Sequence, residues 1–317
     1  MKNFKRVFIA GHNGMVGSSI YNEIKHQLPD IEIIVSSRSD LDLTNQKETI
    51  NFIKESNLDA VIIAAAKVGG IYANNTYPAD FIYDNLMIEL NLIHGCHEAG
   101  IANVLFLGSS CIYPKESEQP IKEDKLLTGP LETTNEPYAV AKIAGIKLCE
   151  SYNRQHKRDY RCVMPCNLYG LNDNYHPENS HVIPALIRRF HEAKINEIDS
   201  VEVWGTGRPL REFLFSTDLA RACIHVMGIS KEKWRNKVSK NYSHLNIGSG
   251  TDISIENLTS LISSEIGFKG DIIYNSEKPD GTIKKLLDSS LINSIGWMPE
   301  VSMQEGIRMA YKDFLNK

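Results

Sequence analysis

The sequence predicts an α/β fold, a doubly wound parallel sheet with a smaller C-terminal lobe. Three observations predict it. Short β-rich runs alternate with helical patterns through the first half of the chain. A glycine-rich turn joins the first run to the first helix. From about Leu171 the alternation loosens, and Pro, Asn and Gly become more frequent.

The predicted strands are "RVFIAG" (6–11), "IEIIVSS" (31–37), "LDAVIIAAA" (58–66), "VLFLGSS" (104–110) and "YRCVMP" (160–165). The second, third and fifth are apolar enough to be buried on both faces. Between the first two, Val16, Ile20 and Ile24 fall on one helical stripe. Strands separated by helices imply right-handed crossovers and a parallel sheet. The chain is expected to revisit that sheet near "REFLFSTDLARACIHVM" and "SHLNIGSG" (243–250). Residues 1–170, with returns near 212–250, would then form one unit; 171–211 and 251–317 would form the lobe, with a cleft between them.

The chain has 317 residues, 42% hydrophobic and 23% charged, an ordinary globular balance. A net charge of −4 argues against a nucleic-acid or acidic-membrane partner. The N-terminal apolar run, Val7–Ala10, is too short for a signal peptide, and no stretch reaches the length of a membrane span. The six cysteines form no CxxC pair and no zinc spacing, so no metal site is expected. They fit free thiols in a reducing, cytoplasmic compartment.

Gly11, Gly14 and Gly17 follow the first strand directly and open a helix. Glycines there permit a tight turn and close approach of backbone to a pyrophosphate, which the helix N-terminus attracts. This is a Rossmann-type signal. The second strand ends in "SSRSDLDL" with Arg38 where an acidic residue would favour NAD. A guanidinium suits a 2′-phosphate, so NADP(H) is the expected cofactor. Asp42 and Leu43 are expected near the adenine edge.

Downstream, "NEPYAVAK" places Tyr138 and Lys142 at i and i+4 on one helical face, roughly 6 Å apart in rise. Pro137 suits a first helical turn. A nearby ammonium favours phenolate, so the tyrosine is expected to exchange a proton nearer neutrality. Ser109 or Ser110, at the end of the fourth strand, would bond the same carbonyl oxygen.

Glycine turn, strand-end serine and YxxxK, in this order, resemble the extended short-chain dehydrogenase/reductase family. "VFIAGHNGMVGS", "AAAKVGGIYANNTYPADFIYDN", "FLGSSCIYP", "TNEPYAVAKIAGIKLCESYNRQ", "NSHVIPALIRRFHEA" and "KPDGTIKKLLD" are similar to its branch of GDP-4-keto-6-deoxy-mannose epimerase/reductases. The resemblance covers almost the whole chain. It implies one active site that epimerises C3 and C5 of a GDP-linked 4-keto-deoxy sugar and then reduces the C4 ketone with NADPH, giving GDP-L-fucose. A related enzyme acting on the 3,6-dideoxy sugar, giving GDP-L-colitose, would carry nearly the same motifs. A non-catalytic NADP sensor would usually lack the tyrosine or lysine.

By that resemblance the catalytic set is Ser109, Cys111, Tyr138, Lys142 and His181. A thiol and an imidazole titrate on either side of neutral pH, as a pair that removes and returns a proton should. The implied cofactor positions are Gly11, His12, Asn13, Gly14, Met15, Val16, Gly17, Arg38, Asp42, Leu43, Leu107, Gly108, Ser109, Ser110, Lys142, Pro165, Cys166, Asn167, Leu168 and His181. Asn13 stands where members of the family carry arginine. Arg189, Trp204, Arg211, Asp280 and Lys285 are the implied substrate positions. A homodimer is implied as well, through the helices containing "FIYDNLMIELNLIHGCHEAG" and Tyr138–Arg154.

Overall fold

The computed structural model describes every residue except 2, 178, 239–243 and 279, and the side chains at 71 and 72 are also outside the description. Ser243, the head of the predicted 243–250 stretch, is among those not described.

In chain order the first half contains β1 (Arg6–Ala10), α1 (Met15–Gln27), β2 (Glu32–Ile34), α2 (Gln46–Glu55), β3 (Ala60–Ile63), α3 (Ile71–Thr76), α4 (Pro78–Glu98), β4 (Asn103–Leu107), α5 (Glu136–His156) and β5 (Asp159–Pro165). The second half contains β6 (Asn167–Tyr169), α6 (Val182–Ile195), β7 (Ser200–Trp204), β8 (Leu210–Phe215), α7 (Ser216–Gly228), α8 (Lys231–Lys237), β9 (His244–Ile247), β10 (Asp252–Ser254), α9 (Ile255–Ile266), β11 (Asp271–Asn275), β12 (Lys284–Lys285), α10 (Ser290–Ser294) and α11 (Met303–Leu315).

The main sheet runs β2-β1-β3-β4-β5-β9, every neighbour parallel. Its direction of growth reverses between β1 and β3. The carboxyl ends of those two strands therefore flank a crevice, the usual ligand position in such sheets. Helix α1 packs with α7, and α4 lies between α2 and α5. β3 and most of β5 are fully buried, as their apolar runs require. β2 differs from the expectation: it is the sheet edge, and none of its three residues is buried.

The return to the main sheet is made by β9, which pairs with β5. The "REFLF" run does not join it. As β8 it organises a second sheet, antiparallel to β10 and parallel to β12 and β6. The reason is visible in its side chains. Phe213 and Phe215 face a separate core built on α6, α9 and α11, whereas Leu214 faces the main core. β7 and β11 form a parallel ribbon beside it.

Glu212, also on β8, is fully buried and accepts the backbone N–H groups of Gly250 (2.8 Å) and Leu287 (3.0 Å). It thereby fastens two later segments to this strand.

Asp173 lies just past β6 and is 7% exposed. Its Oδ1 accepts the Asn174 N–H at 2.7 Å, but its Oδ2 has no hydrogen-bond partner among the described residues. Burial pushes its carboxyl up to about 6. A carboxyl raised on folding stabilises the fold below its unfolded value and loses that contribution as pH rises through the folded one. Asp173→Asn should therefore stabilise the chain by on the order of 2 kcal/mol at pH 7. The advantage should vanish toward pH 4, as measured by urea denaturation at the two pH values.

Candidate active site

The glycine turn is built by crowding. Gly11 has φ +89°, and a Cβ there would lie 2.6 Å from the Ala65 nitrogen. A Cβ at Gly17 would collide with the Gly11 carbonyl. Gly14 precedes α1 with extended backbone, and its Cβ position has only the Gly11 oxygen nearby, at 3.6 Å. That side is open. The first turn of α1 holds no acidic residue and no side-chain cap, so its N–H groups are free for an anion. His12, half-buried, has an Nδ1 without a partner among the described residues. Asn13 is exposed, and Met15 and Val16 are half-buried. This cradle fits a dinucleotide pyrophosphate.

At the end of β2, Arg38 is exposed. Asp42 accepts the Thr44 N–H (3.0 Å) and hydroxyl (2.8 Å), and these bonds, with the Arg38 charge, hold its carboxyl below the usual range. It therefore shapes its own turn. Leu43 is half-buried, and its carbonyl accepts Asn91 Nδ2 at 2.9 Å.

β4 stops at Leu107 instead of running through the serines. Gly108 donates to the Val163 carbonyl at 2.9 Å, and Met164 leaves no room for a Cβ. Ser109 caps a short 3₁₀ turn, Ser110–Ile112, and its Oγ accepts the Cys111 N–H at 3.4 Å. That bond leaves the Ser109 hydroxyl hydrogen available to a ligand. Ser110 is buried, whereas Ser109 is half-buried.

Tyr138 and Lys142 stand on α5. The Tyr138 ring is half-buried and edge-on to Phe81, with centroids 6.5 Å apart. Lys142 is 1% exposed. Its Nζ lies 4.8 Å from the Phe106 centroid, 5.7 Å from the Tyr138 centroid and 2.7 Å from Oε1 of Glu89 on α4. The expected lowering of the tyrosine is not found. Burial, reinforced by the Cys111 and Glu89 charges, pushes the phenol well above its ordinary value. Burial is the largest cause; Glu89, whose own carboxyl is pushed up by burial and pulled back by the ammonium 2.7 Å away, adds to it.

Cys111 is 7% exposed. Burial pushes its thiol up; the Lys285 ammonium is the strongest influence in the other direction, ahead of the Ser109 hydroxyl and Lys142. Lys285 pairs with Arg211 in the β12–β8 register. The structure thus brings Lys285 toward the thiol. Its own ammonium is pushed down by burial.

His181 precedes α6 with extended backbone and keeps exposed surface, while burial of part of its ring pulls the imidazole below its ordinary value. It is tied to the other groups through the loop after β3. Ala65 of that loop packs on Gly11, and a Cβ on Gly70 would lie 3.3 Å from the Ser180 carbonyl. Asn85, on α4, clamps the same loop. It accepts the Lys67 N–H at 2.9 Å and donates to the Lys67 carbonyl at 3.0 Å.

At the end of β5, Pro165 is the last strand residue and Cys166 donates its N–H to Ile247 at 3.0 Å. Asn167 donates to the Glu212 carbonyl at 2.9 Å, and Leu168 packs on the main core.

Of the substrate positions, Trp204 is 58% exposed and Arg189 lies 5.7 Å from its ring centroid. Lys278 lies 5.3 Å from the same ring. Asp280 accepts the Thr206 N–H (2.6 Å) and hydroxyl (2.8 Å), which holds the 205–207 turn. Arg211 donates to the Leu210 carbonyl at 2.9 Å. Burial pulls its guanidinium down, opposed by Asp280. Lys278 and Glu89 were missed by sequence reasoning. Lys278 carries no motif, but Glu89 left a signal: a carboxylate inside the apolar run "NLMIELNLI". Among the described residues no group of three or more His, Cys, Asp or Glu could hold a metal ion, and no helix is long and apolar enough to cross a membrane.

Glycine cradle, strand-end serine and a half-buried tyrosine beside a buried lysine define a nucleotide-dependent epimerase or reductase. The model of the NAD dependent epimerase/dehydratase family matches residues 7–248, and the chain belongs to that family. Along nearly its whole length it is similar to GDP-L-fucose synthases. That of Escherichia coli (strain K12) is 53% identical over 311 residues, covering 98% of this chain and 97% of the other. GDP-L-colitose synthase of Yersinia pseudotuberculosis is 37% identical over 313 residues, 98% of each chain. A crystal structure of a GDP-D-glycero-L-gluco-heptose synthase from Campylobacter jejuni, determined in the presence of NADPH, has a TM-score of 0.92 and 33% identity, covering 99% of both chains.

The environment of Cys111 sets its reactivity. Iodoacetamide should label it slowly at neutral pH and faster as pH rises. Lys285→Met should slow labelling several-fold further, because the strongest charge favouring the thiolate is gone. Peptide mass spectrometry over a time course reads both effects.

Proposed function

We propose that this chain converts GDP-4-keto-6-deoxy-D-mannose to GDP-L-fucose, epimerising C3 and C5 and then reducing the C4 ketone with NADPH. The observation that carries this reading is the packing of α5, with Tyr138 and Lys142 in its first turns, against the short turn after β4 that bears Ser109 and Cys111, in the sheet whose first strand opens the glycine cradle. NADPH, when bound, supplies the hydride that C4 accepts. Tyr138 gives its phenolic proton to the ketone oxygen, and Ser109 donates a hydrogen bond to the same atom. In the epimerisation stage those two hydroxyls stabilise the enolate that forms when a proton leaves C3 or C5. One of Cys111 and His181 takes the proton from one face of the ring, and the other gives its own proton to the opposite face. An imidazole pulled down by burial can accept a proton, and a thiol near Lys285 can give one up, so one group ends the step protonated and the other deprotonated.

The glycine turn, His12 and Arg38 hold the dinucleotide, with the 2′-phosphate on Arg38. Asn13 offers a neutral donor there. Arg189, Lys278 and Arg211 hold the diphosphate of the substrate, and Trp204 offers an exposed ring to the base. The main-sheet unit carries the cofactor, and the lobe around β8 carries the GDP-sugar. Two copies pair through α4 and α5, which turn Tyr83, Leu90 and Val140 to solvent. Six unpaired cysteines suit the reducing cytoplasm.

The test is NMR product analysis after incubation with NADPH and the 4-keto sugar in D₂O. Deuterium should appear at C3 and C5 of GDP-L-fucose. Cys111→Ser and His181→Ala should abolish that label, and normal incorporation in both would remove the pair from the mechanism. Tyr138→Phe should slow NADPH consumption by roughly 10²–10⁴-fold. A clear preference for the 3-deoxy substrate would redirect the assignment to GDP-L-colitose.

A further inference from the structure

Glu89 is 1% exposed and Lys142 is 1% exposed, with 2.7 Å between Oε1 and Nζ. Among the described residues neither Glu89 oxygen has a further hydrogen-bond donor. Position 145, three residues beyond Lys142 on α5, is glycine. A Cβ there would lie 2.9 Å from Glu89 Oε2 and 2.6 Å from the Phe106 ring. Both helices therefore shape the space the carboxylate occupies. A buried ion pair is a weak device for stability, since apolar residues of similar volume often serve as well or better. Its location points elsewhere, because the ammonium it holds lies over the Tyr138 ring.

We propose that Glu89 is a positioning residue for the reduction: it holds the Lys142 ammonium between the Phe106 and Tyr138 rings and cancels its charge, so that Tyr138 meets the ketone as a protonated phenol. This rests on the reading of Tyr138 as the proton donor. The groups acting on the phenol are Glu89 from α4, Lys142 from its own helix and Cys111 from the turn after β4. Cys111 in turn faces Lys142 and Lys285 of β12, and Glu89 also acts on Cys162 of β5. Without Glu89, a lone ammonium 5.7 Å from the ring centroid would favour the phenolate by about one to two pH units at an effective dielectric constant of about 20. A proton donor works while protonated, so its rate is lost as pH rises through its titration. Removing the Glu89 charge moves that loss to lower pH.

The experiment compares the full-length wild type with Glu89→Gln and Glu89→Asp. The first reading is the pH profile of kcat for NADPH oxidation with GDP-4-keto-6-deoxy-D-mannose. The alkaline limb of Glu89→Gln should lie about one to two pH units below that of the wild type, with Glu89→Asp between them. Coincident limbs would overturn the proposal even if kcat fell, because a merely structural role lowers the whole profile without moving it. The second reading needs no turnover: the phenolate absorbance assigned by difference from Tyr138→Phe should appear at lower pH in Glu89→Gln. An unchanged onset overturns the proposal. A wild type that oxidises no NADPH with this substrate would count against the proposed function, while the phenol titration would still decide the role of Glu89. Should Glu89→Gln not fold, Glu89→Asp is read in the same two ways: a downshift supports the proposal, and coincidence with wild type overturns it.

Discussion

The buried contact between Glu89 and Lys142 is the constraint on which the proposed chemistry depends. It joins two long helices beneath the reactive end of the sheet, and it decides where a positive charge sits relative to a phenol. A 2.7 Å pair with both partners almost fully buried is sensitive to the loss of either one. Removing one partner of such a pair commonly costs about 3–5 kcal/mol, because the other charge is left without compensation. A glycine at 145 on α5 and the Phe106 ring of β4 accommodate it.

Helix α4 carries more than this carboxylate. Asn85, one turn earlier, is fully buried and secures the loop after β3 through the Lys67 backbone. Asn91, 2% exposed, donates to the carbonyls of Leu43 and Thr44 at 2.9 and 3.1 Å. A single helix thus holds the loop that packs on the glycine turn, the lysine beside the phenol and the turn after β2. Buried amides can do this because each finds backbone partners in place of water. An apolar α4 would pack as well but would leave all three segments unanchored.

The second lobe contributes charge from the other side. β8 carries Glu212, which anchors the backbone at Gly250 and Leu287, and it pairs with the short strand bearing Lys285. The strongest charge opposing the burial of the Cys111 thiol therefore comes from a residue more than 170 positions later in sequence. The exposed Trp204 and Lys278 and the half-buried Arg189 form a separate cluster on the same lobe. Trp204 stands on β7 and Arg189 on α6, so the proposed substrate contacts and the proposed proton transfer draw on different elements of the lobe.

Local chemistry made much of this legible before any coordinates. The glycine triplet, the strand-to-helix alternation and the i,i+4 Tyr–Lys pair are read from short windows, because turn sterics and helical periodicity act over a few residues. The edge position of β2, the diversion of "REFLF" into a second sheet and the raised Tyr138 phenol could not be read that way. Each depends on what packs alongside: a missing neighbour strand for β2, a second apolar core for Phe213 and Phe215, and, for Tyr138, burial joined by the charges of Cys111 and Glu89. A sequence names the ionisable groups it carries, but their charges act through distance and burial, and those exist only once the chain has folded.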